Sequence, residues 1–176
     1  GQGDILLTDL GRQQSAALAG RFQQQQLTGV YSSDLSRCRF AAEQIASLQE
    51  QQPQYRRELR ELHIGEWEGE TWQKIQRDDP DLWQARLDDI VNVAPPAGES
   101  LLQMAQRVRP VIQQIISAHE GEEIVIVAHG GVNRVILLDA IGAPLERLFH
   151  IEQDYGCHNI IDFYPDGIAV VKKLNG

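Results

Sequence analysis

The run Ile124-Val-Ile-Val-Ala-His129-Gly130-Gly131-Val-Asn-Arg134 sets a histidine and two glycines where an apolar segment gives way to a helical pattern. Four apolar residues, Ile124 to Val127, read as a buried strand. The carboxyl end of such a strand is where an α/β fold collects its ligands. Glycines there let an anion approach backbone N–H groups at the start of the next helix. A histidine in that position can act as a cation, a general acid or base, or a nucleophile. It can equally be a buried residue that only hydrogen-bonds a carbonyl.

A second junction repeats this logic. Tyr31-Ser32-Ser33-Asp34-Leu35-Ser36-Arg37-Cys38-Arg39 runs from a strand end through a small polar turn into a helix. From the first turn of that helix, the guanidinium of Arg37 can make two parallel hydrogen bonds to an anion. Arg39 reads as an ordinary surface charge. A third segment, Glu58 to Gly69, gathers carboxylates, His63 and Trp67 around Gly65 and Gly69, which is dense for a loop and looks like the wall of a site. One of its carboxylates could protonate a leaving oxygen. A metal site from Glu61, His63 and Glu66 lacks a second histidine at helical or strand spacing and is set aside. His63 alternates with Glu61 and can face the site, whereas His119, His150 and His158 read as structural.

The elements that must hold these residues alternate, so the chain reads as α/β. Thr8 or Asp9 caps a helix to about Gln26 with Leu10, Ala17, Leu18 and Phe22 inward. Val30-Tyr31-Ser32 is a short strand, followed by a helix with Cys38, Ala41, Ala42, Ile45 and Ala46 in one stripe. Residues 49–56 form a loop, and Trp72 to Leu87 form one or two helices, the second starting at Asp79-Pro80. Asn92 to Gly98 is a loop. From Glu99 a long helix carries Leu101, Met104, Val108, Ile112 and Ile115, and Gly121 closes it. After the histidine strand come a helix at 132–141, a shorter one from Pro144, and a terminal hairpin turning at Pro165-Asp166-Gly167.

With 176 residues, 42% of them hydrophobic and 23% charged, one globular domain spanning 1–176 is expected. A net charge of −9 argues against nucleic acid and against an anionic membrane surface, while local arginines can still hold a phosphate. No apolar run reaches membrane-spanning length. Cys38 and Cys157 have neither metal-ligand spacing nor the number for a disulfide framework, which points to a reducing cytoplasm.

Taken in order, four blocks resemble the histidine phosphatase superfamily, the phosphoglycerate mutase-like proteins. Gly1-Gln-Gly-Asp4-Ile-Leu-Leu7-Thr8-Asp-Leu-Gly11 is similar to the stretch after that family's first catalytic motif. Ser32-Ser-Asp-Leu-Ser-Arg37 resembles the block whose arginine binds phosphate. Leu59-Arg-Glu61-Leu-His-Ile-Gly65-Glu-Trp67-Glu-Gly69 resembles the proton-donor block, with the donor falling on Glu61. Ala128-His129-Gly130-Gly131 resembles the second catalytic histidine block, and Gly98-Glu99-Ser100 the start of the preceding helix.

The resemblance implies a three-layer α/β/α sandwich with a mostly parallel central sheet. It implies covalent chemistry on a small phosphorylated metabolite: a first histidine attacks phosphorus, Glu61 protonates the departing oxygen and then activates water. Arg37, His129 and a second arginine stabilise the equatorial oxygens. Their charge makes a metal or other cofactor unnecessary. Around the phosphate, the resemblance sets Gly1, Ser33 and Gly130. The family's Arg-His-Gly motif, with the nucleophile and the second arginine, should lie about a dozen residues before Gly1, after an apolar central strand. The chain is therefore expected to be the remainder of a longer one.

Residues 62–128, between Glu61 and His129, are too few for a mutase's substrate cap and resemble small phosphatases, α-ribazole-phosphate phosphatases among them. A phosphatase is the expected function. A cofactor-dependent phosphoglycerate mutase and a non-catalytic phosphate binder are the alternatives. Loops around Trp67, Trp72, Trp83 and Arg86 should select the leaving group, and apolar residues on the terminal strands could support a homodimer.

Overall fold

A computed structural model describes residues 1–176. Three parallel strands, β1 (Gly29–Ser32), β2 (Gln54–Tyr55) and β3 (Ile124–Val127), form a sheet in the order β2-β1-β3. Pairing of Gly29 with Ile124 through Ser32 with Val127 brings the ends of β1 and β3 level. Two further strands, β4 (Ile160–Phe163) and β5 (Ala169–Lys173), form a separate antiparallel ribbon.

Six helices accompany these strands: α1 (Asp9–Gly20), α2 (Ser36–Leu48), α3 (Trp72–Asp78), α4 (Pro80–Asp88), α5 (Leu101–Ala118) and α6 (Gly130–Ala140). Alternation along the strands builds the layers. Val30, Val125 and Val127 pack on one face with Ala19, Phe22, Ala42 and Ile45 of the α1–α2 side. Tyr31, Ile124 and Ile126 pack on the other with Met104, Val108, Val132 and Val135 of α5 and α6. Helices thus cover both faces of a parallel sheet, the α/β architecture expected.

Local signals explain most boundaries. Thr8 caps α1 by accepting from the Gly11 N–H at 3.1 Å. Ser100 and Gln103 form a reciprocal capping box at the start of α5, and Pro80 opens α4. The predicted stripe of α2 is buried at every position.

Four expectations need correcting. The first helix ends at Gly20, not near Gln26, and its inward residues are Ser15 and Ala19 with the expected Leu18 packed partly buried beside them, while Leu10 and Ala17 are exposed. Small residues let α1 lie close on α2, and Phe22 reaches the core from the turn beyond the helix. Residues 54–55, read as loop, pair with β1 as β2. β3 is half-buried along its length, because it pairs only with β1 and its other edge carries no partner strand. His150 lies exposed, with its ring beside Arg147.

Candidate active site

The level ends of β1 and β3 put Ser33, Arg37 and His129 at one place. The Ser33 N–H donates to the Val127 carbonyl at 3.0 Å, extending the sheet by one residue before the chain turns into α2. Arg37 then lies in the first turn of that helix, and its Nε donates to Nδ1 of His129 at 3.3 Å. Arginine can only donate, so Nδ1 is unprotonated and the ring proton sits on Nε2. Nε2 lies 2.8 Å from Ser33 Oγ, which therefore accepts from it and from the Leu35 N–H at 3.3 Å.

His129 is 7% exposed. Burial, reinforced by the neighbouring Arg37 cation, pulls its pKa down to about 3. The imidazole is accordingly neutral at physiological pH, with its one N–H given to Ser33, whereas the sequence suggests a share of the positive charge. Ser33 also differs from expectation: it is fully buried, and its hydroxyl orients His129 instead of facing a ligand. Cys38, one residue beyond Arg37, places Sγ 3.5 Å from Nε2 of His129 and 3.2 Å from the Ala128 carbonyl. Burial pushes its thiol up to about 12, so it packs as an uncharged group.

The His129 depression has a consequence for stability. An unfolded histidine binds a proton near pH 6.5, whereas the folded one does not until far lower pH. Stability is therefore full above pH 6.5 and falls as pH drops below it. Between pH 7.5 and 5.5 the loss should be about 1 kcal/mol, read from urea midpoints. His158, also depressed by burial, adds in the same direction. Asp34 and Glu68 are held below the usual carboxylate range and act only at lower pH. The fall should shrink in His129→Gln, and an unchanged wild-type midpoint would contradict the neutral assignment.

Glu61 approaches from the opposite wall. Its Oε2 accepts from the Gly131 N–H at 3.1 Å and its Oε1 from the Leu62 N–H at 2.8 Å, so the carboxylate sits on the amino end of α6. A side chain at Gly131 would place its Cβ within 2.3 Å of that carboxylate, so this approach requires glycine. Gly130 opens the helix, and a Cβ there would meet the Arg134 guanidinium at 3.0 Å. Arg37, His129 and Glu61 thus converge on the first turn of α6.

Several residues that the sequence reading passed over hold these groups. Asp34 receives a bidentate pair from Arg60, both contacts 2.6 Å, tying the turn before α2 to the Glu61 segment. Asp4 accepts from the N–H and hydroxyl of Ser36 at the amino end of α2. Gly1 and Gly3 offer their carbonyls to Arg37 at 2.8 and 2.9 Å, and the Gln2 and Gly3 N–H groups donate to Glu68. Residue 1 therefore lies against the Arg37 guanidinium. His63 is half-buried, bound through its backbone to Glu99. Glu61, His63 and Glu66 do not gather into a cluster of metal-ligating groups.

Beside Glu68, Trp67 is buried, and its ring lies 6.2 Å from that of Trp83, which is 5.8 Å from the half-exposed Trp72. Arg86 donates to the Val93 carbonyl at 2.6 Å. An open groove of about 610 Å³ between α5, α6 and the β4–β5 turn contains none of these residues.

The fold and this pocket define an α/β protein that gathers an arginine, a histidine and a carboxylate at the carboxyl ends of parallel strands. A sequence model of the histidine phosphatase superfamily (branch 1) matches residues 1–175, and the chain belongs to that superfamily. It is 37% identical over 134 residues to phosphoglycerate mutase-like protein 4 of Arabidopsis thaliana, covering 74% of this chain and 58% of that protein. It is 28% identical over 146 residues to the adenosylcobalamin/alpha-ribazole phosphatase of Escherichia coli, covering 83% and 71%. The crystal structure of the alpha-ribazole phosphatase from Shigella flexneri superposes with a TM-score of 0.91 at 26% identity, over 100% of this chain and 87% of that one. The chain spans only part of some curated relatives, 58% of the Arabidopsis protein and 48% of a bifunctional Mycobacterium tuberculosis protein.

Proposed function

We propose that this pocket hydrolyses phosphate monoesters of small metabolites through a phosphohistidine, using arginine and histidine in place of a metal. The observation that carries the reading is the convergence of Arg37, His129 and Glu61 on the first turn of α6 in a chain of this family. Arg37 is the cation for the equatorial phosphate oxygens, with Gly130 and Gly1 beside it. His129, whose one N–H is given to Ser33 in the resting pocket, supplies a further N–H at Nδ1 once it is protonated. A phosphate dianion beside it opposes the field of Arg37 and raises the imidazole pKa from its low resting value. Glu61 supplies a proton to the leaving oxygen and takes one from the attacking water.

The nucleophile this reading requires is the histidine of the Arg-His-Gly motif, expected before Gly1. For the substrate, α-ribazole 5'-phosphate is the candidate. It is supported by the names of the Escherichia coli and Shigella flexneri relatives and by the run of tryptophans beside Glu68, which suits a leaving alcohol that carries an aromatic base.

Phosphate release by the full-length gene product tests this, measured with chelator over a panel of small esters including α-ribazole 5'-phosphate and 3-phosphoglycerate. Release is expected to persist in chelator. Interconversion of 2- and 3-phosphoglycerate outpacing release would assign a mutase, and phosphate binding without turnover would assign a binder. Arg37→Lys keeps the charge but loses the planar fork, so the inhibition constant of inorganic phosphate should rise by about tenfold or more. An unchanged constant and turnover would remove Arg37 from the pocket.

A further inference from the structure

Behind Glu61 lies an ion pair that touches no candidate substrate position yet grips the backbone on both sides of it. Arg107, on α5, makes a forked pair with Glu99: Nε to Oε2 at 3.0 Å and Nη2 to Oε1 at 2.5 Å. The same guanidinium donates through Nη1 to the Glu58 carbonyl at 2.5 Å and through Nη2 to the Glu61 carbonyl at 3.0 Å. Glu99 completes the clamp from its own side, accepting from the His63 N–H at 2.9 Å while its N–H donates to the His63 carbonyl at 2.8 Å. Residues 58, 61 and 63 are thus held by two side chains that also hold each other.

The surroundings make the clamp stiff. The side chains of Arg107 and Glu99 are 22% and 16% exposed, so their hydrogen bonds are shielded from water. Leu59, between the gripped carbonyls, is completely buried in the core beneath α5. On the far side, Gly65 adopts φ +56°, and a Cβ there would fall 1.9 Å from the Pro96 carbonyl, so the loop after His63 lies directly against the loop before Glu99. Glu61 itself projects from this ridge to the amino end of α6, where its Oε2 meets Gly131. A guanidinium that makes two hydrogen bonds to this one segment and two to Glu99 does more than join two loops.

We propose that Arg107 and Glu99 are positioning residues for the proton transfer of Glu61, fixing the ridge so that its carboxylate meets the leaving oxygen on the first turn of α6. This rests on the hydrolytic reading above. Displacing a positioned group by about 1 Å can cost on the order of a hundredfold in rate. The cost should fall where the positioned proton is needed. An alkyl phosphate has a poor leaving group and depends on the acid, whereas an activated aryl phosphate does not.

The test is a double-mutant cycle in the full-length gene product, with the single-turnover rate of phosphoryl transfer measured on an alkyl and an aryl phosphate. Arg107→Ala and the milder Arg107→Lys are expected to lower that rate on the alkyl ester about ten- to a hundredfold. Both should change the transfer rate on the aryl ester less than threefold and leave inhibition by inorganic phosphate unaltered. Combined with Glu61→Gln, neither should add a further loss on the alkyl ester, because the group being positioned is already gone. Glu99→Gln should show the same pattern at smaller size.

Equal losses on both esters, or full additivity with Glu61→Gln, would reduce the pair to a structural brace and overturn the proposal. If Arg107→Ala does not fold, the Lys and Gln variants carry the same comparison. A folded wild-type protein that releases no phosphate overturns the hydrolytic reading and this proposal with it. An active wild type with additive variants overturns the positioning role alone.

Discussion

Replacing His129 with alanine should slow phosphate release by about two to three orders of magnitude in the full-length gene product. The loss follows from where the ring is held. Ser33 and Arg37 fix both ring nitrogens, so the imidazole sits preorganised at the amino end of α6 and need not reorganise as charge develops on phosphorus. Alanine removes the N–H and leaves the Ser33 hydroxyl without its ring partner. Because the side chain is buried, the variant's folded fraction has to be measured by circular dichroism alongside kcat. Near-normal turnover by folded protein would remove His129 from the chemistry.

Glu61→Gln carries the second large effect, and its signature is selectivity. Glutamine keeps the shape but can neither donate an acidic proton nor take one from water. Loss of general acid catalysis is worth about 10²–10⁴-fold. On alkyl esters the expected drop in kcat lies in that range. Phosphoryl transfer from an activated aryl phosphate, followed in a single turnover, should change far less, because that leaving group departs without protonation. Equal slowing of both transfers would mean that another group is the acid. Glu61→Gln retains an oxygen for the Gly131 N–H but turns its NH2 toward the Leu62 N–H. Inhibition by inorganic phosphate is therefore to be measured beside the rates, and an unchanged constant shows that the pocket is intact.

Legibility in the sequence followed how local each signal is. The two strand-to-helix junctions were readable because strand end, polar turn and helix start are contiguous in the chain, at 31–37 and at 124–131. The stripe of α2 and the cap of α5 were readable for the same reason. Errors arose where a distant partner decides the outcome. The inward face of α1 is set by how closely Ser15 and Ala19 let it approach α2, and periodicity alone favoured the larger Leu10. The half-burial of β3 depends on which strands flank it, which no window of four apolar residues can report. The family resemblance puts Ser33 at the phosphate, but the sheet continues through its N–H and turns its hydroxyl to His129.

The supporting shell was the least legible part of the site. Arg107 sits among apolar helix positions and looks like any half-exposed arginine until α5 is laid against residues 58–63. Arg60 and Asp34 likewise meet only in three dimensions. One sign was present: Glu99 stands beside Gly98 in a block already singled out, and a carboxylate there calls for a cationic partner on the helix it precedes.

The central claim is covalent transfer of phosphate through a histidine in this pocket, and trapping the intermediate tests it most directly. Full-length protein would be mixed with a ³²P-labelled phosphate ester, quenched within the first turnover, and the label on protein tested for acid and alkali stability. The account predicts protein-bound phosphate that is acid-labile and alkali-stable, as a phosphoramidate should be, forming and decaying fast enough to support turnover. Turnover with no labelled protein, or a label with the opposite stability, would contradict it.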